Sequence, residues 1–412
     1  MTATLRPSDL YRLPWSLNDN ILAWLEPTKR CNLACEGCYS RNDPNSDKSV
    51  DAVRRDLDVL LRERKVHSIS IAGGDPLVYP HIADVVRMIH SEYGLPTIIN
   101  TNGLALTPSL LKDLKKAGLQ GFTFHIDSTQ NRPHHKNLGE VELGELRLHY
   151  ARMVADAGDM GCAFNATISR ETLPHVPRLV DWAQQHIDIV HGMVFILLRT
   201  TRTREFQYFA NGKSIDTHEK LVYLDDDRNS VPLTAQDVVD TIRTEHPDFA
   251  PCAYLGGTKD PNSFKWLISG RLGTPEKIYG YVGARYMELL QTGHHALTGK
   301  YYAYAPPAVL RAGRSMLAAF APLDDGVRKA AAEYARDLLR PRVPPRVHFQ
   351  SIIIIQPIDM MPDGEMNMCD GCPDITVHDG RLVWSCRLDE HREHGCFLTA
   401  TPRVPGRGGV KA

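Results

Sequence analysis

The sequence predicts an α/β fold built on a parallel sheet, and two patterns carry that expectation. Between about residues 20 and 200, short β-rich runs alternate with amphipathic stretches, the signature of repeated βα units. The second pattern is the helical period of the amphipathic segments that separate the runs. The runs read as strands at 21–27, 67–73, 97–102, 121–127, 162–168 and 190–198. Six in series suggest an open, barrel-like arrangement. Between the first two lies 49–65, where Ser49 is an N-cap candidate and Val50, Val53, Leu57 and Leu60 or Leu61 line one helical face.

After residue 200 the periodicity fades. The segment 201–233 is charged and turn-rich, 234–245 reads as a helix, and 251–305 mixes Gly and Tyr without a clear period. A helix is expected near 325–339, then a Pro-rich link, then a buried strand at 349–357. The expected organisation is an N-terminal segment 1–20, a barrel 21–200, a mainly helical extension 201–347, a cysteine-rich region 348–400 and a disordered tail 401–412. A chain of 412 residues can bury a large core, as one big domain with an extension or as two to three smaller ones.

Charge and hydropathy narrow the function classes. With 48 Lys and Arg against 49 Asp and Glu, the formal charge of −1 calls for neither nucleic acid nor an anionic membrane. The first twenty residues lack a signal-peptide apolar run, and the longest apolar stretches, Met193 to Leu198 and Ile352 to Ile355, are too short to span a bilayer. A cytoplasmic location without a membrane span is expected. In a reducing compartment, nine cysteines point to metal ligands or buried thiols rather than disulfides.

Their spacing is uneven. Cys31, Cys35 and Cys38 crowd one loop directly after the first strand; Cys369, Cys372, Cys386 and Cys396 form a second group; Cys162 and Cys252 stand alone and read as buried thiols. Parallel α/β folds bind ligands at the C-terminal ends of their strands, so the first loop lies at the ligand-binding edge. Three thiolates do not close a tetrahedral zinc site, which wants four ligands, but they suit an iron–sulfur cluster with one open iron. A zinc loop completed by a distant ligand, or three plain thiols, are the alternatives.

At this point the sequence resembles the radical S-adenosylmethionine (SAM) superfamily, through C-x3-C-x2-C after the first strand and Gly73-Gly74-Asp75 at the end of the second. The resemblance implies a partial (βα)6 TIM-like barrel with a C-terminal cysteine-rich extension. It implies a 4Fe-4S cluster on Cys31, Cys35 and Cys38, with SAM on the fourth iron. Gly73, Gly74 and Asp75 would then face the SAM amino group, and Asn102, Ser128 and Asn165, at later strand ends, its carboxylate and ribose. Gly37 stands where an aromatic residue is common beside the adenine, and Tyr39 is the nearest aromatic side chain. His125 and Asp127 are expected to point inward, and Arg199 is a candidate counter-charge for a carboxylate.

The second group loosely resembles the auxiliary-cluster extensions of the same superfamily, known as SPASM and twitch domains. A hairpin turning at Asp379-Gly380 would return Cys386 towards Cys369 and Cys372. A second 4Fe-4S cluster and a zinc ion both remain open there, with His391 and His394 as alternative ligands. The implied activity is reductive SAM cleavage to a 5′-deoxyadenosyl radical, which abstracts hydrogen from a small-molecule, lipid or peptide substrate. The implied reductant is a flavodoxin or ferredoxin. The rival reading is a non-catalytic iron–sulfur or zinc protein in electron transfer or interaction.

Overall fold

The computed structural model describes residues 4–35, 37–198, 205–215, 233–339 and 343–403. All six expected strands form: β1 (Leu22–Thr28), β2 (Ser68–Gly73), β3 (Thr97–Thr101), β4 (Gly121–His125), β5 (Gly161–Ile168) and β6 (Gly192–Leu197). Each pairs in parallel with the next. Helices α1 (Val50–Glu63), α2 (Ile82–Met88), α3 (Pro108–Lys116), α4 (Gly144–Ala157) and α5 (Val176–Gln185) make the crossovers. Helix α1 starts where Ser49 Oγ accepts the Ala52 N–H, and it buries Val53, Leu57 and Leu60. Two faces follow from the register. Leu25, Ile71, Ile99, Phe124, Phe164 and Phe195 pack under the helices as one core. Trp24, Ser70, Asn100, His125, Asn165 and Val194 share the opposite, concave face.

The sheet does not stop at β6. Helix α6 (Ala235–Glu245) precedes β7 (Ala253–Leu255) and β8 (Trp266–Gly273), and helices α7 (Ala284–Thr298) and α8 (Asp325–Leu338) precede β9 (His348–Ile355). Strand β9 pairs in parallel with β6, β8 runs antiparallel to β9, and β7 antiparallel to β8. The result is an eleven-stranded, largely parallel sheet that crosses the expected boundaries at 200 and 348 and is not closed into a barrel. Strands β7 and β8 escaped the sequence reading for a packing reason. Gly270 and Gly273 in β8 leave room for neighbours: a Cβ would stand 2.6 Å from Phe349 at the first and 2.6 Å from Ile278 at the second. Such glycines erase the alternation on which strand recognition depends.

The C-terminal region closes against the start of the sheet. Strands β10 (Ile375–His378) and β11 (Arg381–Trp384) form the expected hairpin, with Asp379 and Gly380 at φ 48° and 72° in the turn. Val377 joins the barrel core, and β10 packs beside β1 and α1. Helix α9 (Leu388–His394) follows. A further strand, Thr399–Pro402, comes after it. Among the described residues, no helix is long and apolar enough to cross a membrane.

Candidate functional site

The strand β1 ends by delivering a charge cluster rather than an apolar residue. Glu26 is 2% exposed, and its Oε2 lies 2.9 Å from Lys29 Nζ, itself buried. Trp24 Nε1–H and Tyr39 O–H both reach Glu26 Oε1, at 3.2 and 3.0 Å. The Tyr39 oxygen also accepts the Gly73 N–H at 3.2 Å. Tyr39 is therefore a strut between β1 and the end of β2, with burial pushing its hydroxyl pKa well up.

Around this strut runs the cysteine loop. Cys31, Cys35 and Cys38 are all partly buried and feel one another's charge, and burial is the largest cause raising each thiol's pKa. The Cys31 sulfur accepts the Leu33 N–H at 3.4 Å, and Asn102 Nδ2 stands 3.7 Å from it. Gly37, at φ 72°, takes the left-handed turn between the second and third cysteines, where a Cβ would collide with Leu198 at 2.2 Å. Gly74 lets β2 end against the loop: its N–H donates to the Thr28 carbonyl, and a Cβ would stand 2.2 Å from the Arg30 carbonyl oxygen.

Asp75 lies beneath the loop. It is 1% exposed and accepts the Asn102 N–H (2.7 Å), the Leu77 N–H (2.9 Å) and the Thr101 hydroxyl (2.9 Å). Burial raises its pKa against the pull of those donors. Asn102 ties strand end to cysteine loop, its Nδ2 donating to Asn32 Oδ1 at 2.7 Å and its carbonyl accepting from the buried Arg132 at 2.7 Å. Ser128 donates both its N–H and its hydroxyl to Glu140 Oε1 at 2.7 Å, and Glu140 is paired with the fully buried Arg147 at 2.7 Å. Asn165 differs: its Oδ1 is buried with no hydrogen-bond partner.

His125 and Asp127 meet each other, with His125 Nε2 2.7 Å from Asp127 Oδ2 and 3.1 Å from Thr167 Oγ1. Burial would raise the Asp127 pKa, but His125 and donors from Thr129 and Thr167 outweigh it and hold the carboxyl well below its usual range. Arg199 lies outside the described residues.

In the second group, Cys369 and Cys372 are in hydrogen-bond contact, which, with burial, pushes the Cys372 thiol far up. Cys386 bears on Cys372 electrostatically, whereas Cys396 packs against Phe206, Tyr208 and Leu398. Asp374, next to them, has a buried Oδ1 without a partner, and burial raises its pKa to about 7. Cys162 and Cys252 are buried, 2% and 0% exposed. Among the described residues, no three His, Cys, Asp or Glu side chains gather as one metal ion requires. Sulfurs around a cubane stand farther apart than around one ion. Three mutually sensed thiols on a loop that only glycines allow to fold this closely fit such a cluster.

The sequence reading missed Glu26 and Lys29, although a Glu inside the apolar run ILAWLEP was a legible signal. It also missed Asp389, at the start of α9.

Residues 25–183 match the family model of the radical SAM superfamily. An AdoMet-dependent heme synthase of Methanosarcina barkeri is 28% identical over 188 residues, 45% of this chain and 52% of that protein. A GTP 3′,8-cyclase of Chlorobaculum tepidum is 35% identical over 103 residues, 24% of this chain and 31% of that protein. The chain spans about half the length of the curated relatives it matches, or less. Among solved structures, anSMEcpe with bound AdoMet aligns over 69% of this chain and 68% of its own, at 14% identity and a TM-score of 0.41. Streptococcus suis SuiB bound to its precursor peptide SuiA aligns over 44% and 40%, at 18% identity and a TM-score of 0.36.

Proposed function

We propose, from the match of residues 25–183 to the radical SAM superfamily model, that the chain is an enzyme of that superfamily holding a 4Fe-4S cluster on Cys31, Cys35 and Cys38. Such a cluster with SAM supplies one-electron cleavage to methionine and a 5′-deoxyadenosyl radical, which takes a hydrogen atom from substrate. The observation that carries this reading is the placement of three thiols on one loop against Gly73 and Gly74, at the ligand-binding ends of β1 and β2.

The protein's own residues have distinct tasks. Asn102 braces Cys31, and Asp75 holds the β3 end in register with the loop. Gly73 and Gly74, at the end of β2 beside the cysteine loop, are the proposed contacts of the SAM amino group. Ser128 acts through Glu140 to fix the end of β4, while the unpartnered Asn165 Oδ1 is offered to SAM or substrate. The substrate is assigned to the concave face, between the polar Asn100, His125 and Asn165 and the apolar Trp24, Val194 and Ile353. Small-molecule, lipid and peptide substrates remain candidates, with a flavodoxin or ferredoxin as electron donor.

At the C-terminus, Cys369, Cys372 and Cys386 are proposed as ligands of a second cluster or a zinc ion, with Cys396 completing the set. Support comes from the contact of the first two and the reach of the third.

The test is anaerobic reconstitution with iron and sulfide, reduction by dithionite, and measurement of 5′-deoxyadenosine. Turnover by the wild type and none by a Cys31, Cys35, Cys38 triple Ala variant is expected. Zinc, or no metal, on the N-terminal cysteines would overturn the assignment and favour a non-catalytic metal protein.

A further inference from the structure

A loop of three cluster ligands has to keep its shape when the cluster is absent or changes charge, and most of this one has no secondary structure of its own. Its closure comes from residues 41–43. The Asp43 N–H donates to the Lys29 carbonyl at 3.2 Å. Asn42 clasps the Cys31 backbone from both sides, Oδ1 accepting its N–H at 3.0 Å and Nδ2 donating to its carbonyl at 3.1 Å. These contacts make a ring of chain from Lys29 to Asp43 with the cysteines inside it.

What holds the ring shut comes from near the other end of the sequence. Asp389, 4% exposed in the first turn of α9, accepts the Arg41 N–H through Oδ2 at 2.7 Å, across 348 positions of sequence. Glu393 pairs with Arg41 at 3.2 Å, and Arg392 with Asp43 at 2.5 Å and with Asp389 at 3.8 Å. The helix is itself anchored behind by the buried pair Arg387–Glu390, at 2.5 Å, whose Glu390 also accepts the Leu398 N–H. Lys29, Asp389 and Glu26 are among the charged side chains near enough to act on Cys38.

We infer that helix Leu388–His394 is a working part of the N-terminal cysteine loop, with Asp389 a positioning residue that clamps the chain leaving Cys38 and, beside Arg392, brings a negative charge to that side of the loop. The inference rests on the proposed cluster. Reduction adds an electron to it, so a fixed carboxylate nearby disfavours the reduced state, and Lys29 opposes that effect.

Two variants separate clamp from charge. Asp389→Asn keeps an oxygen to accept the Arg41 N–H and removes the charge, whereas Asp389→Ala removes both. The signal to follow is the electron paramagnetic resonance of the reduced cluster that changes on adding SAM and is lost in the triple Cys variant. Asp389→Asn is expected to keep wild-type iron and sulfide while its signal grows in at a higher potential in a redox titration. Asp389→Ala is expected to lose half or more of the N-terminal iron on desalting. Should Asp389→Ala fail to fold, the near-isosteric Asn variant still decides the charge effect. A wild-type midpoint in Asp389→Asn, together with wild-type iron retention in any folded Asp389→Ala, overturns the inference. A wild type with no SAM-responsive signal overturns the family chemistry, and this inference with it.

Discussion

At the scale of single residues, the acids near the site divide by what surrounds them. Glu140 has no exposure, sits against Arg147, and is the acceptor for Ser128. Removing one member of a buried pair strands the other charge in low dielectric. Glu140→Gln is expected to cost about 3–5 kcal/mol in urea unfolding. It should also loosen the end of β4. His67 is the opposite case, a base kept neutral. Burial, then His294 and Lys300, push its pKa down to about 4, and its Nδ1 is buried with no partner. Its folded value lies below the unfolded value of about 6.5, so the native state binds fewer protons between the two. The stability from a neutral His67 is thus present above about pH 6.5 and is lost as pH falls through about 4. The drop in Tm between about pH 7.5 and about pH 5 should be smaller in His67→Phe than in the wild type.

At the scale of elements, the junction of β1 and β2 depends on the absence of side chains. Gly73 is at φ 116° with the Thr28 carbonyl 2.2 Å from where a Cβ would be, and Gly74 is as close to Arg30. Ala at Gly74 has to push the strand end away from the cysteine loop. Gly74→Ala should fold, because the helices and the core beneath them are untouched, but it should retain less than half the wild-type iron after reconstitution. Iron equal to the wild type would show that the close approach is unrelated to the cluster. The hairpin β10–β11 makes the complementary point, since Asp379 and Gly380 adopt the left-handed conformations that Asp-Gly accommodates with little strain.

At the scale of the whole molecule, the extension is continuous with the barrel. Strand β9 extends the parallel order beyond β6, β10 covers the edge at β1, and α9 reaches the loop after Cys38. Deleting residues 345–412 is therefore expected to destabilise the N-terminal half as well, seen as lost cooperativity in thermal unfolding of the truncated chain. An N-terminal fragment that melts like the intact protein would contradict this.

The local chemistry was legible in the linear chain: six β-rich runs became β1 to β6, the cysteine spacing marked the first loop, and Asp379-Gly380 marked the turn of the β10–β11 hairpin. These features arise from neighbours in sequence, where period, turn preference and ligand spacing act over a few residues. Tertiary structure alone decided the rest. Asp75, Asn102 and Ser128 read as ligand contacts, and only the fold supplies the partners that hold them, Thr101, Asn32 and Glu140 from other turns of the chain. Lys29 meets Glu26 inside the fold, and Asp389 meets Arg41 from the far end of the chain. A hydrogen bond or ion pair between distant segments leaves no periodic trace in either one, because its strength depends on separation in space and burial, which exist only once the sheet has folded.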